Sequence, residues 1–245
     1  NYFFKQCNLQ GMFRKNIILI CHPTNITTVE KNAIRDCAYR AGAKRVYLEE
    51  EPKVAAVGAG LDIGRACGSM VLDIGGGTSD IAVLSLGDIV CSTSLKVAGN
   101  RFTQLILDYL RKYRKLAIGE QMAEEVKIRI GSALPLEVPL TMQVSGLALE
   151  SGLPVSVEVN SNEIESALRA SVDEIVRAVR TVLEITPPEL AADIVQRGIV
   201  MTGGGALLKN FDVRLRNELQ IPVYVAENAL RCVVDGCSIM LEQLH

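Results

Sequence analysis

Apolar and polar positions in the first sixty residues follow the pattern of strands that alternate with helices. The short apolar run NIILIC at 16–21 predicts a buried strand. Thr27 and Glu30 form the pattern of a capping box, and apolar side chains then recur at helical spacing, at Val29, Ala33, Ile34, Cys37 and Ala38. RVYL at 45–48 predicts a second strand, followed by EEEP and a helix of small residues. This order indicates an α/β fold.

From Met70 onward the pattern changes to short strands separated by glycine-rich turns. MVLDI, DIAVLSL and DIVCSTSL predict an antiparallel meander, and residues 101–130 have a helical pattern. The segment 137–159 alternates between apolar and polar positions and predicts a hairpin with one face in water; its inward positions would begin with Val138, Leu140, Met142 and Val144.

The second half of the chain begins with a long predicted helix. Asn160 and Glu163 form another capping box, and the apolar set that follows is Ile164, Ala167, Leu168, Val172, Ile175, Val176, Val179 and Leu183. Pro187 and Pro188 end this helix and start a shorter one. The strand GIVMT, a glycine triplet, a helix from about Leu207, the strand IPVYVA and a helix at 233–244 are the last predicted elements.

Composition and charge restrict the possible functions. A chain of 245 residues that is 49% hydrophobic can form one large domain or two smaller ones. The net charge of −2 and the absence of Trp disfavour a nucleic-acid partner, and the basic run at 111–115 is typical of a solvated helix face. Seven cysteines without a CxxC pair, and two histidines, give no zinc-site spacing and predict reduced thiols in the cytoplasm.

Two glycine triplets each follow an apolar strand, in VLDIGGGTSD at 71–80 and in IVMTGGGALL at 199–208. Neither has the ending of a P-loop or the spacing of a Rossmann fingerprint. One triplet alone is compatible with a tight turn that needs positive φ. The first lies between two strands, where backbone N–H groups can approach phosphate oxygens and Thr78 adds a hydroxyl donor. The second precedes a predicted helix, whose first amides favour electron-rich ligand groups.

Asp73 lies two residues before the first triplet and would place a carboxylate beside the same phosphates. That arrangement is repulsive unless a cation lies between them, and Mg²⁺ is commonly held in this way through water. The two triplets together therefore predict a nucleotide site, with the phosphates at one triplet, the rest of the nucleotide at the other, and Mg²⁺ near Asp73.

Longer segments resemble the family of the bacterial actin homologue MreB. They are LEEEPKVAAVGAG, VLDIGGGTSDIAVLSLGDIV, AIGE…AEEVKIRIG, RTVLEITPPELAADIVQRGIVMTGGGALL and IPVYVAENAL, and the first is most similar to the paralogue Mbl. The resemblance runs from about residue 15 to 240. The wider superfamily of actin, heat-shock chaperones and sugar kinases shares the DIGGGT-like hairpin but not the TPPEL…GIVMTGGG segment.

The resemblance implies an actin-like ATPase (ribonuclease H-like) fold, in which two lobes hold ATP and Mg²⁺ in the cleft between them. It also implies slow ATP hydrolysis coupled to head-to-tail assembly of protofilaments from copies of the chain. These filaments would lie in the cytoplasm, on the inner face of the membrane, and act with cell-wall elongation proteins to guide wall synthesis and set rod shape.

By position, the resemblance also assigns roles to residues. Gly75, Gly76, Gly77 and Thr78 resemble the loop that holds the β- and γ-phosphates, and Asp73 would lie near Mg²⁺. Glu51 matches the carboxylate that orients or activates the attacking water, with Thr78 assisting. Two further segments would contact ribose and adenine: Glu124, Glu125, Val126 and Lys127, and Gly203, Gly204, Gly205, Ala206 and Leu207. Each assignment has a simpler alternative. Glu51 is also compatible with an ordinary acidic residue in the first turn of a helix, and Glu124 and Lys127 are also compatible with an ion pair on the protein surface.

The resemblance predicts how the chain divides into structural units. Residues 1–64 would belong to the first lobe (subdomain IA), 65–99 and 163–230 to the second (subdomain IIA), 100–162 to an inserted small subdomain (IIB), and 231–245 to a helix that packs back toward the first lobe. Family members begin with a strand and an Asp-Leu-Gly-Thr phosphate loop that this sequence does not contain. We therefore expect an incomplete first lobe, without the surface that contacts the membrane in the family.

Two other functions remain compatible with the sequence. A sugar or acetate kinase of the same superfamily would need an acidic base and a substrate pocket in an insertion, and nothing in 100–160 suggests one. A non-hydrolysing filament partner would keep the fold without turnover. The presence of Asp73, Glu51 and both triplets argues against that degenerate form, and the absence of the first phosphate loop argues for it.

Overall fold

The computed structural model describes residues 16–243, in which helices pack around three β-sheets. Residues 1–15 of the predicted first unit and 244–245 of the last lie outside the described residues. The strands are β1 (Ile17–His22), β2 (Arg45–Glu50), β3 (Ser69–Ile74), β4 (Ser79–Ser85), β5 (Asp88–Leu95), β6 (Leu116–Ala117), β7 (Thr141–Ala148), β8 (Pro154–Asn160), β9 (Ile199–Thr202) and β10 (Val223–Val225). The helices are α1 (Thr28–Arg40), α2 (Glu51–Gly58), α3 (Gly99–Tyr113), α4 (Glu120–Ile130), α5 (Ser161–Ile185), α6 (Pro188–Arg197), α7 (Phe211–Leu219) and α8 (Cys232–Gln243), with 3₁₀ helices at Gly204–Leu207 and Ala229–Arg231.

The largest sheet has five strands in the order β10-β9-β3-β4-β5. The predicted antiparallel meander of β3, β4 and β5 is confirmed, and β9 lies parallel to β3 on its other side. Every residue of β3 and β4 is buried because helices cover both faces of the sheet. This burial explains why these strands appear in the sequence as nearly continuous apolar runs.

Side chains of β3 and β4 alternate between the two faces of this sheet. One face packs against α3 and α5 in the main hydrophobic core; its side chains there are Met70, Leu72, Ile74, Ile81 and Val83. The other face packs on α2, through Val71, Ala82 and Leu84, which contact Ala55 and Ala56. Asp73 lies two residues after Val71 and Asp80 two residues before Ala82. Both carboxylates therefore lie on the face of the sheet that packs on α2.

Both predicted capping boxes are present. The Thr27 N–H donates to Glu30 Oε2 at 2.7 Å, and Asn160 and Glu163 make the equivalent pair at the start of α5. The apolar set of α5 is buried or half-buried, as its spacing predicted. The helix predicted after Thr27 is confirmed as α1; of its apolar positions, Ala38 is buried and Val29 is 77% exposed.

The helical pattern at 101–130 is interrupted, because Lys115 adopts a left-handed conformation (φ +51°) just after α3 ends. The chain then forms the short strand β6, which pairs with β7, before α4 begins.

The predicted hairpin at 137–159 starts later than expected. Val138 and Leu140 are exposed and precede β7, because Pro139 between them has no N–H to donate to a strand ladder, whereas Met142 and Val144 are buried.

The segment after the second triplet does not enter an α-helix at Leu207. It forms the 3₁₀ helix Gly204–Leu207, and α7 begins only at Phe211, after Asn210 in a left-handed conformation (φ +60°). The sequence prediction of a strand, three glycines and a helix is therefore corrected to a strand, a 3₁₀ turn and a later helix.

Each of the three sheets lies inside one predicted unit: β1 and β2 within 1–64, the five-stranded sheet within 65–99 and 163–230, and β6, β7 and β8 within 100–162. The boundaries of these units stay a prediction. In residues 16–243, no helix is both long enough and apolar enough to cross a lipid bilayer.

Helix α8 packs against α2 through a contact between two glycines. A Cβ atom on Gly58 would lie 1.7 Å from the Cys232 carbonyl oxygen, and one on Gly236 would lie 2.0 Å from the Val54 carbonyl oxygen. The two helix backbones therefore touch directly, and a larger residue at either position would separate them.

We predict that Gly236→Ala lowers the free energy of unfolding by about 3 kcal/mol or more, because its Cβ would overlap backbone atoms of α2 that cannot rotate away. Gly64→Ala is the matched control, since a Cβ there meets only the Asp62 side chain at 3.7 Å. Urea denaturation followed by circular dichroism measures both variants. Equal stability of the two variants would contradict the close contact between α2 and α8.

Candidate functional site

The first glycine triplet forms a hairpin between β3 and β4, closed by a hydrogen bond from the Gly75 N–H to the Thr78 carbonyl at 2.9 Å. None of its three glycines has positive φ. Among the described residues, no acceptor is bonded to the N–H groups of Gly76 and Gly77, and no partner to the Thr78 hydroxyl. In the part of the chain that the structure describes, a Cβ on Gly77 would meet no atom within 4 Å, so packing among those residues does not require glycine there.

The N-terminus of α3 holds this hairpin in place. The Gly99 N–H donates to the Gly75 carbonyl at 3.1 Å, and the Asn100 N–H donates to the Gly76 carbonyl at 2.8 Å. The hairpin carbonyls therefore point toward α3. Sequence reasoning did not identify Gly99 and Asn100; the available signal was a glycine followed by a polar residue between a predicted strand and a helix.

The second triplet lies beside the first, because β9 runs parallel to β3 and Thr202 is in register with Asp73. Gly203 has φ +80°, and its Cβ would lie 2.4 Å from the Ile74 carbonyl oxygen. A Cβ on Gly205 would lie 2.2 Å from Ile74 Cγ2. Glycine is required at both positions for the chain to cross the end of β3 so closely.

A cavity of about 410 Å³ lies between the two triplets, at the carboxyl ends of β3 and β9. This is the position at which open α/β sheets commonly bind ligands. Backbone forms part of the wall, at Gly75, Gly76, Gly99, Gly204 and Gly205, and apolar side chains form another part, at Phe102, Ile128, Leu207, Leu208 and Leu230. Asn100, Glu124 and Lys127 supply the polar part of the lining.

Glu124 and Lys127 form an ion pair at this wall, joined by Thr103 and the Gly99 carbonyl, and the Glu124 side chain is 45% exposed. Lys127 Nζ lies 2.7 Å from Glu124 Oε2, 3.0 Å from the Gly99 carbonyl and 3.1 Å from Thr103 Oγ1, and the Lys127 side chain is 14% exposed. Burial alone would raise the pKa of Glu124, but the hydrogen bonds from Lys127 and Thr103 outweigh it and lower that pKa. The carboxylate therefore stays charged beside its ammonium partner.

Not every residue assigned by resemblance faces the cavity. Glu125 points outward and pairs with Arg129 at 3.0 Å, and Val126 is fully buried in the core. The helix geometry explains this, because residues 124 and 127 share one face and the two residues between them do not. Ala206 is 2% exposed and also points into the core, so the cavity-facing part of the second segment is Gly204, Gly205 and Leu207.

Three carboxylates converge on the α2 side of the hairpin. Asp73 and Asp80 are directly paired across β3 and β4 and are 3% and 1% exposed, and Glu51 begins α2 and is half-buried. Asp73 accepts a hydrogen bond from Thr202 Oγ1 at 2.8 Å, and Asp80 lies 3.4 Å from both the N–H and the hydroxyl of Thr24. Within residues 16–243, none of the three is paired with a lysine or arginine.

Burial, together with the neighbouring negative charge, raises the pKa values of two of the carboxyl groups. Burial, followed by repulsion from Asp73 and Asp80, raises the pKa of Glu51 to about 7. The pKa of Asp73 is raised to about 6, mainly by burial. The hydrogen bond from Thr202 lowers this pKa, and repulsion from Asp80 raises it. In the part of the chain that the structure describes, no three His, Cys, Asp or Glu side chains come close enough to ligate a metal ion together.

Comparisons with known proteins agree with this architecture. The MamK double helical filament has a TM-score of 0.82 at 20% identity, over 98% of this chain and 73% of that one, which supports the fold alone. MreB5 of Spiroplasma citri, in a crystal structure bound to ADP, has a TM-score of 0.93 and 40% identity over 99% of this chain and 73% of that one. The expected actin-like α/β fold is therefore confirmed.

Sequence comparisons give the same relationship. The cell shape-determining protein Mbl of Bacillus cereus is 51% identical over 243 residues, which span 99% of this chain and 73% of that protein. The cell shape-determining protein MreB of Escherichia coli is 47% identical over 244 residues, which span 99% of this chain and 70% of that protein. Because the profile of the MreB/Mbl protein family also matches residues 1–245 in full, the chain belongs to the MreB/Mbl family.

Proposed function

We propose that this chain binds and slowly hydrolyses ATP and assembles into filaments that help determine cell shape. The observation that carries the proposal is the cavity between two adjacent glycine corners, one of which presents unbonded backbone N–H groups. The relatives reinforce it, since MreB5 of Spiroplasma citri has been crystallised with ADP and with AMPPNP.

The two sides of the hairpin suit different parts of a nucleotide. The apolar cavity beside Phe102, Ile128 and Leu230 suits a base and a sugar, with Glu124 and Lys127 as the polar groups that would orient them. The N–H groups of Gly76 and Gly77 and the Thr78 hydroxyl suit phosphate oxygens. A phosphate chain across the hairpin would then end near the three carboxylates.

Those carboxylates fit a magnesium ion held through water. Asp73 and Asp80 are buried, repel one another and have no cationic partner among the described residues, so a divalent cation would relieve a real excess of negative charge. Mg²⁺ usually keeps several waters and needs few protein ligands, which suits the absence of a three-ligand cluster in residues 16–243. When bound, the ion would neutralise charge on the phosphates.

Glu51 is the residue we propose to orient and activate the attacking water. It lies on the carboxylate side of the hairpin, and its raised pKa matches the operating range of a general base. Thr78, with a hydroxyl that has no partner among the described residues, would help to position the same water. Catalysis of this kind relies mainly on positioning and electrostatics.

Self-assembly and cell location extend the proposal further. From its membership of the MreB/Mbl family, we propose that this chain associates with copies of itself through a head-to-tail contact between two lobes, which propagates without closing. We also propose a location in the cytoplasm at the inner face of the membrane, where filaments would act with cell-wall elongation proteins. Sedimentation with MgATP, MgADP or no nucleotide tests the assembly step.

We predict that Gly77→Ala weakens nucleotide binding by about tenfold or more without destabilising the fold, because the new methyl group would stand where phosphate oxygens approach the backbone. Its Cβ would meet no atom of residues 16–243 within 4 Å, so the described fold has room for it. Titration of a fluorescent ADP analogue measures the dissociation constant, with Gly64→Ala as the control. Equal affinity of both variants and the wild type would exclude the hairpin as the phosphate site.

We predict that Glu51→Gln reduces phosphate release about a hundredfold while filaments still sediment with MgATP, because the amide keeps the shape but cannot accept a proton. The wild-type rate should rise with pH through about 7, since a base with this pKa becomes active only as it loses its proton. The residual rate of the variant should lack that rise.

Two results would redirect the proposal. Phosphate transfer only when a small-molecule acceptor is added, without sedimentation, would indicate a kinase of the same superfamily. Sedimentation without nucleotide dependence or phosphate release would indicate a non-hydrolysing filament partner.

A further inference from the structure

Two cysteines from opposite ends of the chain meet beside the candidate site. Cys21 Sγ on β1 lies 3.2 Å from Cys237 Sγ on α8, although 216 residues separate them in sequence. Both residues are half-buried. Among the six described cysteines, these are the two whose sulfurs are in contact; Cys67, Cys91 and Cys232 instead contact nitrogen or oxygen atoms.

The position of this pair is fixed by the packing around it. Gly236, directly before Cys237, touches the backbone of α2 at Val54 and Gly58, so Cys237 cannot withdraw from β1 without opening that contact. Cys21 is held in the β1–β2 ladder opposite Glu49. A disulfide bond is about 2.05 Å long, so the sulfurs need to approach by only about 1.2 Å.

We propose that Cys21 and Cys237 form a reversible disulfide site that reacts with a peroxide and ties β1 to α8. The Cys237 sulfur attacks one oxygen of hydrogen peroxide, the O–O bond breaks, and a sulfenic acid and water form. The Cys21 sulfur then attacks the Cys237 sulfur, the S–O bond breaks, and a second water leaves with the thiol proton. Two electrons pass from the sulfurs to the peroxide, and a dithiol restores both thiols.

The surroundings of Cys21 affect the rate at which the disulfide forms. Burial, the contact with Cys237 and the nearby carboxylates of Glu51 and Glu49 all raise the pKa of the Cys21 thiol. Because the thiolate is the reactive form, closure of the disulfide should be slow at neutral pH and faster as the pH rises.

The disulfide would connect β1 to the wall of the nucleotide cavity. Helix α8 follows directly from the 3₁₀ helix Ala229–Arg231, where the Ala229 carbonyl accepts from the Gly203 N–H at 2.8 Å and Leu230 lines the cavity. A bridge that holds α8 on β1 would restrict movement of this wall and slow nucleotide exchange. This consequence rests on the proposed function, whereas formation of the bridge does not.

The experiment treats the full chain with hydrogen peroxide, blocks remaining thiols and maps disulfide-linked peptides by mass spectrometry without reduction. We expect a peptide containing Cys21 linked to one containing Cys237 in the wild type and in the control Cys37→Ser, which removes an exposed cysteine on α1. The link should be absent in Cys21→Ser and Cys237→Ser. Oxidation confined to Cys37, or a different pairing, would overturn the proposal.

Release of a fluorescent ADP analogue from the same samples tests the consequence. We expect several-fold slower release after oxidation, restored by dithiothreitol, in the wild type and in Cys37→Ser but not in Cys237→Ser. Unchanged release from the linked protein would refute the connection to the cavity. If the link forms but the reduced protein binds no nucleotide, the proposed function is refuted and the disulfide site still stands.

Discussion

The backbone pairing of β3 with its two neighbours is the constraint on which the rest of the structure depends. Its antiparallel register with β4 places Asp73 opposite Asp80, and its parallel register with β9 places Asp73 beside Thr202. The same pairing brings both glycine triplets to one edge of the sheet. A slip of one residue would turn the carboxylates into the main core and separate the hairpin from the second triplet.

The two glycine triplets look alike in sequence but have different physical causes. Gly203 and Gly205 are required by the chain itself, because any side chain there would overlap Ile74. A Cβ on Gly77 would meet no atom of the described residues within 4 Å, so packing within 16–243 does not require glycine there. The second triplet therefore builds the cavity, and the first leaves room for a ligand. The carboxylates beyond the hairpin carry the excess charge that a cation would neutralise.

Sequence patterns correctly predicted the helices and strands that are determined by residues close together in the chain. The capping boxes at Thr27 and Asn160 and the meander from Met70 follow from side chains a few residues apart. The break at Lys115 was missed because a lysine gives no signal of a left-handed conformation, and the 3₁₀ turn after Gly203 was missed because a glycine triplet does not distinguish such a turn from the start of an α-helix. The contributions of Asn100 and Asp80 to the site arise from tertiary register, and neither is visible from spacing alone.

The most direct test of the central claim is hydrogen exchange of the hairpin amides with and without MgADP. Gly76 and Gly77 donate to no acceptor among the described residues, so their amides should exchange rapidly in the free protein. Bound nucleotide should slow exchange in peptides that cover 75–78 and 203–208. Unchanged exchange at the hairpin, with protection elsewhere on the surface, would contradict a phosphate site at the first glycine triplet.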